Sequence, residues 1–194
     1  MKSTLFMRCT LLLVFLGQNI KAQTPLQISA GADQIICYGS YLNLTAYVAG
    51  GVPPYIFKWL PNEALSTIGE ASVIAAPTFT TTYKVIVSDT KGNKASDEIT
   101  VTVAQRPTIV TETYTNLEVN GKVKLNVKVK GNGNLTYTWK PATGLDNPNT
   151  CCPIASPNCS TTYTIMVKDA NSCIATEQIL VNANTSILVN SEKK

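Results

Sequence analysis

Apolar and polar residues alternate with a period of two along most of this chain. In ITVTV (99–103), Ile99, Val101 and Val103 fall on one side, and Thr100 and Thr102 on the other. KVKLNVKVK (122–130) sets Val123, Leu125, Val127 and Val129 against Lys122, Lys124, Lys128 and Lys130. LNLTAYV (42–48) alternates in the same way. This period, carried by Val, Ile, Thr and Tyr, predicts half-buried antiparallel strands. Turn formers punctuate it at GGVPP (50–54), LPNE (60–63), DTKGN (89–93), GNGN (131–134) and DNPN (146–149). No segment carries the period of an amphipathic helix. Short strands with closely spaced turns predict an all-β chain built of antiparallel sandwiches.

The pattern is written twice. With Trp59 aligned on Trp139, the chain matches itself without a gap at an offset of 80 as far as Val103 and Ala183. Pro61/Pro141, Leu65/Leu145, Pro77/Pro157, Tyr83/Tyr163, Val87/Val167, Asp89/Asp169 and Ile99/Ile179 are among the identities. Upstream, one residue of slippage near Gly51/Gly131 restores the register. A unit of this length is a domain rather than a turn of a solenoid. The expected organisation is a first sandwich over 23–105 and a second over 106–184, joined by the short Ala104-Gln105-Arg106-Pro107 segment.

Each copy has the anatomy of an immunoglobulin-like sandwich. Tyr55, Phe57 and Trp59 share a face of one short strand, as do Leu135, Tyr137 and Trp139 of its counterpart. A mid-domain Trp is the expected core anchor. Tyr83 and Tyr163 begin the late strands TYKVIV and TYTIMV, where each is expected to pack its ring and tie its hydroxyl to nearby backbone as a tyrosine corner.

Residues 1–22 stand outside this pattern. Lys2 and Arg8 precede an apolar LLLVFL (11–16), and Ala22 offers a small residue before Gln23. That is the order of a signal peptide, with an apolar run too short to span a bilayer. The mature chain is therefore expected to be exported and to lack a transmembrane segment. Setting aside Lys2, Arg8 and Lys21 lowers the formal charge from +4 to +1. Nucleic-acid binding then has no electrostatic footprint. The tail, 185–194, takes no assignment.

At AGADQIICYG (30–39), LTAYVAGGVPPYIFKW (44–59), APTFTTTYKVIVSD (76–89) and TTYTIMVKDANSCIATEQILV (161–181), the sequence resembles the PKD-like, immunoglobulin-like modules of secreted and surface bacterial proteins. The resemblance spans nearly all of the mature chain. It implies tandem sandwiches, export, and service as spacers, stalks, adhesive units or carbohydrate-contacting accessory units. In such modules a Cys near the first strand often faces one near the late-strand turn. Here those positions are divided between the copies, Cys37 in the first and Cys173 in the second. A Cys37–Cys173 bridge would have to cross between domains, and the short reach of a disulfide weighs against it. The cluster TCCPIASPNC is the preferred home of a bond, with Cys152–Cys159 expected and Cys151–Cys159 as the alternative. Three Cys without any His make a poor zinc set.

The absence of His excludes the usual Ser-His-Asp and Cys-His machinery. No phosphate-cradling glycine motif is present. Asp97 and Glu98 are the adjacent carboxylates considered for hydrolysis, and alternation places them on opposite faces. No enzyme activity and no cofactor are expected. Asp89 and Asp169 read as turn caps in preference to calcium ligands. The stripe of Lys122, Lys124, Lys128 and Lys130 reads as a solvated or edge-protecting face in preference to a polymer contact. Tyr41 and Tyr47 are candidates for stacking on sugar rings. The first copy carries four cationic and six acidic residues, the second seven and five, an asymmetry that allows weak self-association. The expected function is non-catalytic adhesion or structural interaction with a protein or polysaccharide at the cell surface. The alternative is carbohydrate binding, or an accessory role to a separate secreted hydrolase.

Overall fold

The computed structural model describes residues 24–118 and 121–183. The expected signal peptide, the tail and the outer limits placed at residues 23 and 184 lie outside the described residues. The first half runs β1 (Gln27–Ser29), β2 (Gln34–Cys37), β3 (Leu42–Thr45), β4 (Tyr47–Ala49), β5 (Ile56–Leu60), β6 (Ser72–Ala75), β7 (Thr81–Ser88) and β8 (Lys94–Ala104). The second runs β9 (Thr108–Thr111), β10 (Tyr114–Asn116), β11 (Val123–Lys124), β12 (Val127–Lys130), β13 (Thr136–Lys140), β14 (Ile154–Ala155), β15 (Thr161–Lys168) and β16 (Ile174–Asn182). The described residues include no helix.

Both halves use one topology. A four-stranded sheet runs β2-β8-β7-β5 in the first and β10-β16-β15-β13 in the second, with the outer β2 and β10 parallel to their neighbours. The facing layer is made of short pairs, β1-β4 and β3-β6 against β9-β12 and β11-β14. Registers repeat as well: Trp59 lies opposite Val85 and Tyr83 opposite Ile99, just as Trp139 lies opposite Ile165 and Tyr163 opposite Ile179. Each half has its own core. One gathers Leu44, Trp59, Val73, Tyr83, Val85 and Val101, the other Leu125, Trp139, Tyr163, Ile165, Val167 and Val181. Alternation delivers them inward, because every second residue of a pleated strand points to the same side.

KVKLNVKVK, which reads as one strand, is divided. Val123 and Lys124 pair with β14, whereas Val127–Lys130 pair with β9. Between them the Leu125 amide donates to the Pro153 carbonyl, and the Thr111 hydroxyl donates to the Asn126 carbonyl. The first half divides LNLTAYVA in the same way, β3 to β6 and β4 to β1. A strand that changes partner midway keeps its alternation but not a continuous ladder.

Candidate functional site

The joint between the sandwiches is built on the turn that follows β15, whose counterpart in the first sandwich follows β7. In the first sandwich this turn is closed by Asp89. One carboxylate oxygen, Oδ1, accepts the amides of Lys91 and Asn93, each at 2.9 Å. The other, Oδ2, accepts the Val52 amide at 3.1 Å and the Asn93 side-chain amide at 2.8 Å. The Asn93 side chain, foremost, and the backbone donors hold this carboxyl below its ordinary range, against the opposing effect of burial. Four N–H donors on one carboxylate make a turn cap.

In the second sandwich Asp169 Oδ1 accepts the amides of Asn171 and Cys173, again at 2.9 Å. Cys173 stands where Asn93 stands, so no side-chain amide reaches the second oxygen. Asp169 Oδ2 is buried without a hydrogen-bond partner. The Cys173 sulfur is instead bonded to Cys37 at the end of β2, with the two Cα atoms 5.5 Å apart. This overturns the expectation that a bridge between the repeats was unfavourable. The four-residue connection folds the β15–β16 turn directly against the end of β2, inside the reach of a disulfide. Strand register also identifies the counterpart of Cys37. Ile35 lies opposite Thr102 and Asn116 opposite Asn182, which makes Glu118 the residue equivalent to Cys37.

Arg106 clasps the same joint. Its Nε donates to the Tyr38 carbonyl at 3.0 Å and its Nη2 to the Ser40 hydroxyl at 3.3 Å, both in the first sandwich. Its Nη1 donates to the Ile174 carbonyl of the second at 3.1 Å. Sequence reasoning passed over this residue. The available signal was its rarity, since Arg8 and Arg106 are the two arginines of the chain and Arg106 sits in the connection. A planar guanidinium with several donors suits such bridging better than a lysine. Beside the clasp an open cleft of about 570 Å³ is lined by Arg106, Lys130, Asn132 and Asn171 among others.

The Cys152–Cys159 staple, and its Cys151–Cys159 alternative, are not formed. Cys151, Cys152 and Cys159 are thiols. Cys159 is exposed in the turn before β15, at the position of exposed Phe79 in the first sandwich. Cys151 and Cys152 turn inward, with the two thiols 3.7 and 3.8 Å from the Val127 carbonyl and their sulfurs 3.1 Å apart. Cys159 lies beyond β14, on the solvent side, and shares no bond with either of them.

Trp59 and Trp139 are buried, and their indole nitrogens donate to the carbonyls of Glu70 and Thr150, each at 3.0 Å. The Tyr83 hydroxyl donates to the Glu63 carbonyl at 3.4 Å and the Tyr163 hydroxyl to the Thr143 carbonyl at 2.9 Å. Burial raises both phenol pKa values, with a further push from Glu63 on the first and Cys159 on the second. Tyr41 and Tyr47 are 73% and 67% exposed. Lys122, Lys124, Lys128 and Lys130 are all exposed. The Asp97 carboxylate accepts the Ala30 amide at 2.9 Å, whereas Glu98 pairs with Lys84 at 2.8 Å. These neighbours therefore serve different contacts and do not face each other. No group of three or more potential metal ligands occurs among the described residues.

Among solved structures, the N-terminal eight Ig domains of Down Syndrome Cell Adhesion Molecule match over 81% of this chain and 27% of that one, with a TM-score of 0.56 and 15% identity. The fold is immunoglobulin-like. An I-band fragment from titin matches over 83% of this chain and 66% of that one, with a TM-score of 0.47 and 14% identity. Domains 1–4 of Sidekick-1 match over 85% and 50%, with a TM-score of 0.45 and 12% identity. The chain thus spans less than two thirds of each of the first two of these, and half of the third. No protein-family model and no curated protein matches the sequence.

Proposed function

We propose that this chain is an exported, non-catalytic PKD-like module pair that makes adhesive or structural contact with a protein or polysaccharide at the cell surface. In this reading residues 1–22 direct export, and 23–105 and 106–184 are the two domains. The observation that carries it is the joint: a Cys37–Cys173 bridge reinforced by Arg106 across both sandwiches. Disulfides persist in oxidising, exported compartments. A covalent joint holds the relative orientation of two surfaces, which serves a spacer or a two-domain contact face. The absence of His and the separate engagements of Asp97 and Glu98 support the non-catalytic part.

Fractionation of the producing cell with N-terminal sequencing tests the export arm. Chain that begins at Gln23 and reacts with a membrane-impermeant label on intact cells is the expected result; chain in the cytosol that begins at Met1 overturns it. Beads coated with the protein should adhere to the cell envelope, and failure to adhere sinks the contact role. The carbohydrate alternative is favoured by one feature, exposed Tyr47 beside a groove of about 290 Å³ that Gln34, Asn43 and Thr45 also line. It requires glycan-array binding that disappears in Tyr41→Ala and Tyr47→Ala.

A further inference from the structure

The two sandwiches differ most in the strand that faces β3 or β11. In the first, β6 pairs over four residues, and Ser72 lies opposite Thr45 with their hydroxyls 3.0 Å apart. In the second, β14 keeps only Ile154 and Ala155. The missing part is Cys152-Pro153, at the positions of Ser72 and Val73, and Cys151 precedes it at the position of Ala71. Pro153 has no amide hydrogen to give to a ladder. Its carbonyl accepts the Leu125 amide, and regular pairing stops there. The segment is thereby released from the sheet while its side chains remain directed inward.

The two sulfurs are 3.1 Å apart, so a bond between them needs only about 1 Å of closure. Cys159, the other thiol of the second sandwich, lies beyond β14 and faces solvent. The fold already contains one disulfide, Cys37–Cys173. We propose that Cys151 and Cys152 close on each other as a vicinal disulfide in an oxidising compartment, leaving Cys159 as the one thiol of the second sandwich. The inference uses the oxidising environment of the proposed function and nothing else of it.

The oxidant is a disulfide, either of a thiol oxidoreductase or of a small molecule such as oxidised glutathione. One thiol of the pair, as thiolate, attacks a sulfur of the oxidant, forming a mixed disulfide and releasing the first oxidant thiol. The second cysteine then attacks the protein-side sulfur of that mixed bond, closes the ring and releases the second oxidant thiol. Two electrons and two protons pass from the cysteine pair to the oxidant. Adjacent Cα atoms stand about 3.8 Å apart across a trans peptide, below the usual disulfide range of about 4.4–6.8 Å. Ring closure therefore distorts the local backbone, and a segment outside the ladder can yield where a paired strand would not. Strained bonds are the more readily reduced, so this one is expected to open before Cys37–Cys173.

The test uses full-length protein in a glutathione buffer at which Cys37–Cys173 is closed, which separates the chemistry from the question of export. Thiols are trapped with N-ethylmaleimide in denaturant, because burial foremost pushes the Cys151 thiol up to about 11 in the fold and would slow its reaction there. Trypsin places all three cysteines in one peptide, residues 131–168, since Lys140 precedes Pro141. The expected peptide carries one maleimide, on Cys159, and lacks two hydrogens. Three maleimides, or a single one on Cys151 or Cys152, overturn the proposal. In Cys159→Ser the same peptide should take up no maleimide, and two would overturn the proposal equally.

Discussion

The two sandwiches are near-copies that place their irregular residues at opposite ends of the same design. The tyrosine corner needs a left-handed residue just after the carbonyl that receives the hydroxyl. The second sandwich uses Gly144 there, at φ 79°, whereas the first forces Ala64 to φ 60°. At the turn after the corner strand the assignment reverses, with Gly92 at φ 81° in the first and Ser172 at φ 64° in the second. A Cβ on Gly144 would lie 2.8 Å from the Tyr163 hydroxyl oxygen. Ala64 has such a Cβ, and its sandwich shows the longer corner bond, 3.4 Å against 2.9 Å. Glycine at this position thus supplies both an unstrained left-handed backbone and room for the shorter bond. The repeated fold tolerates a left-handed residue other than glycine at either site, and the corner ring is buried in both copies.

Cutting the joint has the largest expected effect. Cys37→Ser with Cys173→Ser should cost about 2–4 kcal/mol and let the sandwiches melt as two separate transitions under non-reducing calorimetry. A single unshifted transition would show that the bridge does not couple them. Next comes the corner. Gly144→Ala should destabilise the second sandwich by about 1–3 kcal/mol through the left-handed backbone and the crowded tyrosine. The reciprocal Ala64→Gly should stabilise the first by about 0.5–1 kcal/mol, the strain relieved less the greater freedom of glycine in the unfolded chain. Denaturant melts of both variants check the pair, and changes of the same sign would break the proposed contrast.

The smallest effect concerns the turn caps. Asp89 is held below its ordinary pKa chiefly by the Asn93 side-chain amide. Its folded value lies under the unfolded value of about 3.9. The stability this contributes is therefore complete above that unfolded value and is lost as pH falls through the folded one. Asn93→Ala raises the folded pKa, so acid unfolding of the first sandwich should begin at a higher pH. Asn93 bonds within the first sandwich alone, so the acid limb of the second sandwich should not respond. Acid unfolding of the Cys37→Ser/Cys173→Ser protein, in which the sandwiches unfold separately, followed by circular dichroism from pH 6 downwards reads both limbs, and two unmoved limbs on adding Asn93→Ala would remove the cap from consideration.

Much of the fold was legible because its determinants are local. Period-two alternation in ITVTV and TYKVIV states which residues point inward, whichever strand lies alongside. Trp59, Trp139, Tyr83 and Tyr163 are large rings at matching offsets, and burying them offers the greatest gain in apolar contact. The divided strands were not legible, because alternation in KVKLNVKVK continues unbroken across the change of partner at Leu125–Asn126. Nor did the pattern around Cys151 and Cys152 reveal that Pro153 ends the ladder and turns both thiols inward. Asp89 and Asp169 look identical in sequence, yet the Val52 amide and the Asn93 side chain both reach the second oxygen of one, and that of the other has no donor.

The sequence by itself determined the strand period, the repeat, the two cores and their anchoring rings, since these depend on residue chemistry and near spacing. Only the tertiary structure decided that Cys37 bonds Cys173 across 136 residues, that Arg106 spans the joint, and that Cys159 is separated from its neighbours. Side-chain burial is set within a strand, but a disulfide partner is set by which surfaces two folded bodies present to each other.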